Sequence, residues 1–448
     1  MPGFALSGVT HTLCSPRAVE TLRSLVTAPF ETYDRLICTS RAVVAMVQSV
    51  TGAYADYLQE RHGGSPRLRT GLELIPLGVD INKFRPAAPE ERQAERRRLD
   101  IATDETMVLF VGRLSHHAKA HPFPMYRALA EAAERTSNKV HLVLSGWSSS
   151  PAVSKAFQDG AQQFAGRVRV STVDGTRPEN RFAVWQAADL FTSLSDNIQE
   201  TFGLVIVEAM ACGLPVVASD WNGYRDLVVN NETGFLVPTR MVRNATEDLA
   251  LQAMVGELDY DHFLARSNQC VAIDVAAATE AYATLLRDED IRRRMGTAGR
   301  QRAEALFAWS HVIRAYEDLW QSQRAELAAS VTGDRGHAKP FPGPAAYPAL
   351  EHSFASYPTT WLELDQHVVA GPTAIDRLPV LLTTALVNYE SDSRCSNLTL
   401  LQSVLELGSR VCSLGDLAAL FQDAGVESQA ALVTLAWMLK YDLLRPVN

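Results

Sequence analysis

Two stretches of this chain combine residue types that could hold a phosphorylated ligand. In VGRLSHHAKAHP, Gly112 closes an apolar run, Arg113 follows at once and Lys119 comes six residues later. A guanidinium is a planar fork of donors and an ammonium a mobile point charge, so one loop could aim both at a diphosphate. Alone, the pair reads as a solvated turn, because surface cations are common. In SDNIQETFGLVIVEAMACGLPVVASD, Glu200 and Glu208 have seven residues between them. Thr201, Phe202, Gly203 and Leu204 are expected to open a helix whose first amides lack internal partners and whose dipole favours an anion. Gly203 would let a ligand approach the backbone closely. Glu208 sits inside the apolar segment IVEAMA. A carboxylate there needs a partner, and vicinal hydroxyls of a ribose or hexose would serve. Alone, such a glutamate pair reads as a salt-bridged helix surface.

These residues need strand ends to place them. Short β-branched runs recur at Met107–Val111, Val140–Leu144, Val168–Thr172, Asp189–Ser193, Pro215–Ser219 and Gly234–Val237, with helical patterns between them. Near-continuous apolar strands alternating with helices predict a parallel sheet covered on both faces. Ligands bind beyond the carboxyl ends of such strands, where the candidates above fall. Upstream, Arg35–Thr39 and Leu72–Ile75 read as strands around a helix from Arg41 to about Glu60, too little for a complete second α/β core. Residues 276–330 carry helical periodicity, 331–360 read as a Pro/Gly/Ala-rich linker, and 361–448 as a small helical domain. Within it, SLGDLAALFQDAG and ESQAALVTLAWMLKYDLLRP resemble the paired helices and first wing strand of a winged-helix unit.

Length and charge narrow the classes. A chain of 448 residues with 47% hydrophobic and 21% charged residues can bury two or three domain cores. The net charge of -9 argues against a general nucleic-acid binder, and the segment from residue 331 onward is itself acidic, with 7 basic and 12 acidic residues. A protein partner is the expectation for 361–448. The six cysteines lie far apart with no C-x-x-C pair and read as free thiols. With no signal-like amino terminus and no apolar run near the ~18 residues that span a bilayer, a cytoplasmic location is expected. The basic run RQAERRRLD (92–100) reads as a solvated helix face that leaves peripheral membrane contact open.

The segments IPLGVDINKFRP (75–86), FVGRLSHHAK (110–119), AADLFTSLSDN (187–197), ETFGLVIVEAMACGLPVVASD (200–220) and TGFLVP (233–238) occur in this order. Together they resemble the retaining, nucleotide-sugar-dependent glycosyltransferases of family four, which have the two-domain GT-B fold. The resemblance implies an α/β chain with a partial amino-terminal domain (1–78), a nucleotide-sugar-binding domain (79–308), a long helix crossing back (309–330), the linker and the extra helical domain. It implies that Arg113 and Lys119 hold the donor diphosphate and stabilise it as it leaves. Glu208 would meet the nucleotide ribose, Glu200 the donor sugar, and the amides of Phe202, Gly203 and Leu204 the sugar and phosphate. His11, in GVTHTLCS, would face the donor sugar across the cleft. Gly112 and Gly78 are counted with the donor-binding positions, Gly78 in the interdomain hinge.

The implied co-substrates are a nucleotide-diphosphate sugar and a saccharide or lipid-linked acceptor, with no cofactor, no metal and no nucleic acid. No Asp-x-Asp stands at a strand end: Asp259-Tyr260-Asp261 and Asp288-Glu289-Asp290 read as solvated acidic turns. Retention without an obvious nucleophile implies same-face attack through an oxocarbenium-like state. The match begins near the middle of the family's amino-terminal domain, at SGVTHTL, and 361–448 lies outside the usual architecture. Two alternatives stand beside the transferase: a truncated, non-catalytic nucleotide-sugar-binding or interaction module, and a disaccharide phosphorylase on the same fold.

Overall fold

The computed structural model describes residues 4–332, 353, 355–387, 389 and 394–447. They fall into two units, with the division at Lys339 and Pro340.

The first unit begins with a three-stranded parallel sheet, β1 (Ser7–Val9), β2 (Arg35–Cys38) and β3 (Gly71–Leu74), in that spatial order. Helices α1 (Pro16–Ser24) and α2 (Arg41–His62) connect the strands and cover one face, where Leu13, Leu22, Val43 and Val47 pack with Cys38. All three residues of the edge strand β1 are exposed. After α3 (Pro89–Arg98) the chain builds β4 (Glu105–Val111), α4 (Pro122–Thr136), β5 (Lys139–Gly146), α5 (Pro151–Phe164) and β6 (Arg169–Asp174). It returns through α6 (Ala183–Ala187), β7 (Leu190–Ser193), α7 (Leu204–Ala211), β8 (Val216–Ser219), α8 (Tyr224–Leu227) and β9 (Gly234–Val237). These strands form one parallel sheet in the order β6-β5-β4-β7-β8-β9, the α/β class expected from the alternating pattern.

Alternation along β4 explains the two cores. Val108 and Phe110 pack on one face with Tyr126, Leu129 and Tyr282, while Met107 and Leu109 pack on the other with Ile206 and Met210. Each such side chain contributes about 1.5–3 kcal/mol by leaving water. That two-sided burial is why these strands read as unbroken apolar runs. The chain leaves β4 toward β5 and β6, then comes back to the other side of β4 at β7. A crevice therefore opens between the ends of β4 and β7, where open parallel sheets bind ligands.

The unit continues with β10 (Thr239–Met241), α9 (Glu247–Met254), α10 (Tyr260–Asn268), β11 (Val271–Ile273), α11 (Val275–Arg287), α12 (Glu289–Leu306) and α13 (Trp309–Thr332). At the junction, Val79 N–H donates to Phe307 O at 2.8 Å. Helix α13 then runs against the small sheet: Val312 and Leu319 pack on Ile37 and Ile75, and Gln323 Nε2 donates to Leu6 O and Tyr33 O.

Several boundaries differ from expectation. The β6 strand runs Arg169–Asp174 and not Val168–Thr172, and α7 begins at Leu204, three residues after the expected Thr201. The Glu200 carboxylate accepts from the N–H groups of Thr201 and Phe202 and holds these residues in a loop instead. The face of 92–100 is not simply solvated. Arg92 and Arg96 both pair with Asp189, at 2.5 and 2.8 Å, and donate to the carbonyls of Ala188 and Ala187. Their positive charge is thus spent on the entrance to β7. Of the expected linker, 333–352 and 354 lie outside the described residues, while 331 and 332 belong to α13.

The second unit contains β12 (His367–Ala370), α14 (Ala374–Thr383), α15 (Leu398–Leu407), β13 (Cys412–Ser413), α16 (Leu414–Asp423), α17 (Ser428–Lys440) and β14 (Leu444–Pro446). The two expected helices are α16 and α17, the first opened by a capping box between Ser413 and Asp416. The sheet order is β13-β12-β14, antiparallel, so its middle strand comes from before the helices. Among the described residues, no helix is long and apolar enough to cross a membrane.

Candidate active site

The loop after β4 is fixed by its neighbours before any ligand arrives. Gly112 has φ +153, and its N–H donates to Ser145 O at 3.0 Å. A Cβ at Gly146 would lie 1.8 Å from Gly112 O, so only glycine lets the ends of β4 and β5 approach this closely. Leu114 N–H donates to Trp147 O, and Gly175 N–H to Gly146 O, which ties the loops at 146–150 and 174–177 to the same edge. From the other side the loop after β7 grips it. Asn197 Nδ2 donates to His117 O at 2.6 Å, Ser195 Oγ to Lys119 O at 3.1 Å, and His121 N–H to Asp196 Oδ1 at 3.2 Å. Asp196 is buried, which pushes its carboxyl up to about 6.

On this frame Lys119 meets Glu200. Their side chains pair at 2.5 Å across the crevice between β4 and β7. Glu200 also accepts from Thr201 N–H at 3.2 Å, Phe202 N–H at 3.4 Å and the Tyr224 hydroxyl at 3.3 Å. Burial alone would raise its pKa; the Lys119 ammonium and these donors overcome that and hold it below the usual carboxylate value. Arg113 Nη2 donates to Gln199 Oε1 at 3.1 Å. Gln199 Nε2 in turn donates to the Tyr260 hydroxyl, which touches Cys14 Sγ at 3.3 Å on the loop after β1. A polar chain thus runs from Arg113 to the small sheet.

Gly203 caps α7 at φ +105, and a Cβ there would fall 2.4 Å from the fully buried Tyr224 ring. The turn therefore requires glycine on both counts, and Leu204 starts the helix with its side chain exposed. Phe202 is buried against Phe307, so its contribution to a ligand can only be its backbone. Glu208, on the next turns of α7, has no hydrogen-bond or ion-pair partner among the described residues. Burial lifts its carboxyl to about 7, offset in part by Arg181.

Arg113, Lys119, Glu200, Gly203 and Glu208 therefore share the β4/β7 end of the large sheet. His11 sits exposed on the β1–α1 loop, the same loop that brings Cys14 to Tyr260. Gly78 packs closely on another element: a Cβ there would lie 2.6 Å from the Trp309 ring. The acidic triplets also have structural work. Asp259 caps α10 through His262 N–H, and Asp288 caps α12 through Ile291 N–H. Among the described residues, no three His, Cys, Asp or Glu side chains gather as a metal site. Gln199, Tyr224 and Tyr260 were not singled out from the sequence. Gln199 is adjacent to Glu200, the one local signal; the tyrosines reach the site from other elements.

The small sheet closes over this end. Ser40 Oγ donates to Thr201 O at 2.8 Å, and Arg41 donates through both N–H and Nε to Asp226 at 2.6 Å. Beneath these contacts is a cavity of about 470 Å³ with Glu200 in its wall.

Part of the chain is similar to known proteins. Residues 91–253 match the family described as Glycosyl transferases group 1. That stretch holds Arg113, Lys119, Glu200 and Glu208. A D-inositol 3-phosphate glycosyltransferase of Streptomyces avermitilis is 35% identical over 228 residues, covering 48% of this chain and 46% of that protein. An alpha-maltose-1-phosphate synthase of Mycolicibacterium smegmatis is 28% identical over 258 residues, covering 57% of each. The chain spans about half the length of these curated relatives. Among solved structures, a sucrose-phosphate synthase from Thermosynechococcus elongatus aligns with a TM-score of 0.48 at 24% identity, over 71% of this chain and 68% of that one.

Proposed function

We propose that the chain transfers a sugar from a nucleotide-diphosphate sugar to a hydroxyl acceptor, with retention of anomeric configuration and without a metal ion. The observation that carries this is the meeting of Lys119 and Glu200 from two different strand ends, beside the start of α7 and a partnerless Glu208. The family match over 91–253 and the relatives' names support the same class. When the bond from the anomeric carbon to the diphosphate breaks, negative charge grows on the leaving oxygen. Arg113, Lys119 and the first amides of α7 would stabilise that charge. The diphosphate would compete with Glu200 for the Lys119 ammonium, freeing the Glu200 carboxylate for hydroxyls of the donor sugar. Glu208 would accept from the ribose hydroxyls. The acceptor hydroxyl attacks on the face the diphosphate leaves; its proton passes to a departing phosphate oxygen as the new bond to the anomeric carbon forms.

Calorimetric titration with uridine, guanosine and adenosine diphosphate sugars tests the site. At least a tenfold loss of affinity is expected in Arg113→Ala, Lys119→Ala and Glu208→Ala. Unchanged affinity in all three refutes the assignment.

A further inference from the structure

The cavity beside Glu200 differs in chemistry from the crevice it adjoins. Its walls are Leu13 and Val19 from the first connection, Val43 and Met46 from α2, and Trp221 and Phe263 from the large-sheet side. Among the described residues lining it, the one lysine or arginine is Arg225, whose Nε donates to Asp220 Oδ1 at 2.7 Å and whose Nη2 donates to Asp220 O at 2.9 Å. Asn222 spends its Nδ2 on Glu200 O, and Thr201 O already accepts from Ser40. A phosphate placed here would lose its water and gain no free cation. An apolar chain would lose water and gain contact on several sides. At about 470 Å³ the space suits a ligand of small-molecule size.

From this lining we infer that the cavity seats the apolar part of a neutral amphiphilic alcohol, whose hydroxyl end lies at Glu200. The inference rests on the transferase reading and gives its acceptor a chemical class. It also separates this chain from the relatives named for inositol 3-phosphate, whose acceptor is an anionic polyol. An amphiphile orders its tail against Val19, Val43, Met46 and Phe263 and leaves its head group at the polar end, where the donor sugar would arrive.

The test uses the full chain, octyl β-glucoside below its micelle concentration, and inositol 3-phosphate at equal concentration. Binding of each is followed by ligand-observed NMR, and transfer by release of nucleoside diphosphate. Octyl glucoside is expected to bind at least tenfold more tightly than inositol 3-phosphate and to be the better acceptor. Ala42→Glu places a carboxylate at the cavity wall in the first turn of α2, where the helix dipole tolerates it. It should weaken octyl glucoside at least tenfold and leave nucleotide-sugar affinity unchanged. Met46→Gln, of nearly the same volume, should act in the same direction. Equal or tighter binding of inositol 3-phosphate, or octyl glucoside binding untouched by both substitutions, overturns the inference. The binding arm decides it even if no sugar is transferred. Loss of nucleotide-sugar binding in the unmodified chain would instead strike the transferase reading.

Discussion

Replacing Glu208 by glutamine should stabilise the ligand-free protein at neutral and alkaline pH. Burial raises the Glu208 pKa from 4.5 to about 7, with the Arg181 charge offsetting part of the rise. A raised folded-state pKa means that the native state holds its proton more tightly than the unfolded chain. The contribution is therefore fully present below pH 4.5 and is lost as pH rises through 7. At 1.36 kcal/mol per unit the loss amounts to about 3 kcal/mol, reduced by whatever water reaches this half-buried side chain. Glutamine does not titrate and so escapes that loss. Urea unfolding of both proteins between pH 4 and 8.5 should show similar stability near pH 4 and an advantage for Glu208→Gln of up to about 3 kcal/mol above pH 7.5. A saturating nucleotide sugar should reverse the order, because ribose hydroxyls would then partner the ionised carboxylate. A glutamine variant that is less stable at pH 8 without ligand, or a difference that does not change with pH, would refute the burial argument.

Other perturbations probe the surrounding frame. Lys119→Ala strips Glu200 of its ion-pair partner; the pair is only partly buried, so the cost should lie at or below about 3 kcal/mol, the low end for a buried pair broken on one side; adding Glu200→Gln should recover much of the lost stability in thermal unfolding. Gly203→Ala meets both a positive φ and the Tyr224 ring, and should cost about 3 kcal/mol, read as a lowered Tm with weakened donor binding. Tyr260→Phe removes the hydroxyl that joins Gln199 to Cys14 and should cost about 1 kcal/mol, with a smaller loss of donor affinity than Arg113→Ala.

The strands of the large sheet and the candidate cations and carboxylates could be read from the chain alone, for a local reason. A strand buried on both faces must be apolar at successive positions, as Met107, Val108, Leu109 and Phe110 are. A loop that serves a ligand at its end shows glycine and charge directly after that run, as Gly112 and Arg113 do. What could not be read depends on partners distant in sequence. Asp189 draws in Arg92 and Arg96, so an apparently solvated face became a structural one. Trp309 claims the space beside Gly78, a contact that the sequence around that glycine does not announce. Tyr224 and Tyr260 reach Glu200 and Gln199 only after β8 and α10 are in place. Residue type and spacing thus determined which groups could bind a charged ligand. Tertiary packing decided which of them meet, how Lys119 holds the Glu200 carboxyl down while burial pushes that of Glu208 up, and what lines the cavity beside them, because desolvation and long-range contacts exist only once distant segments have come together.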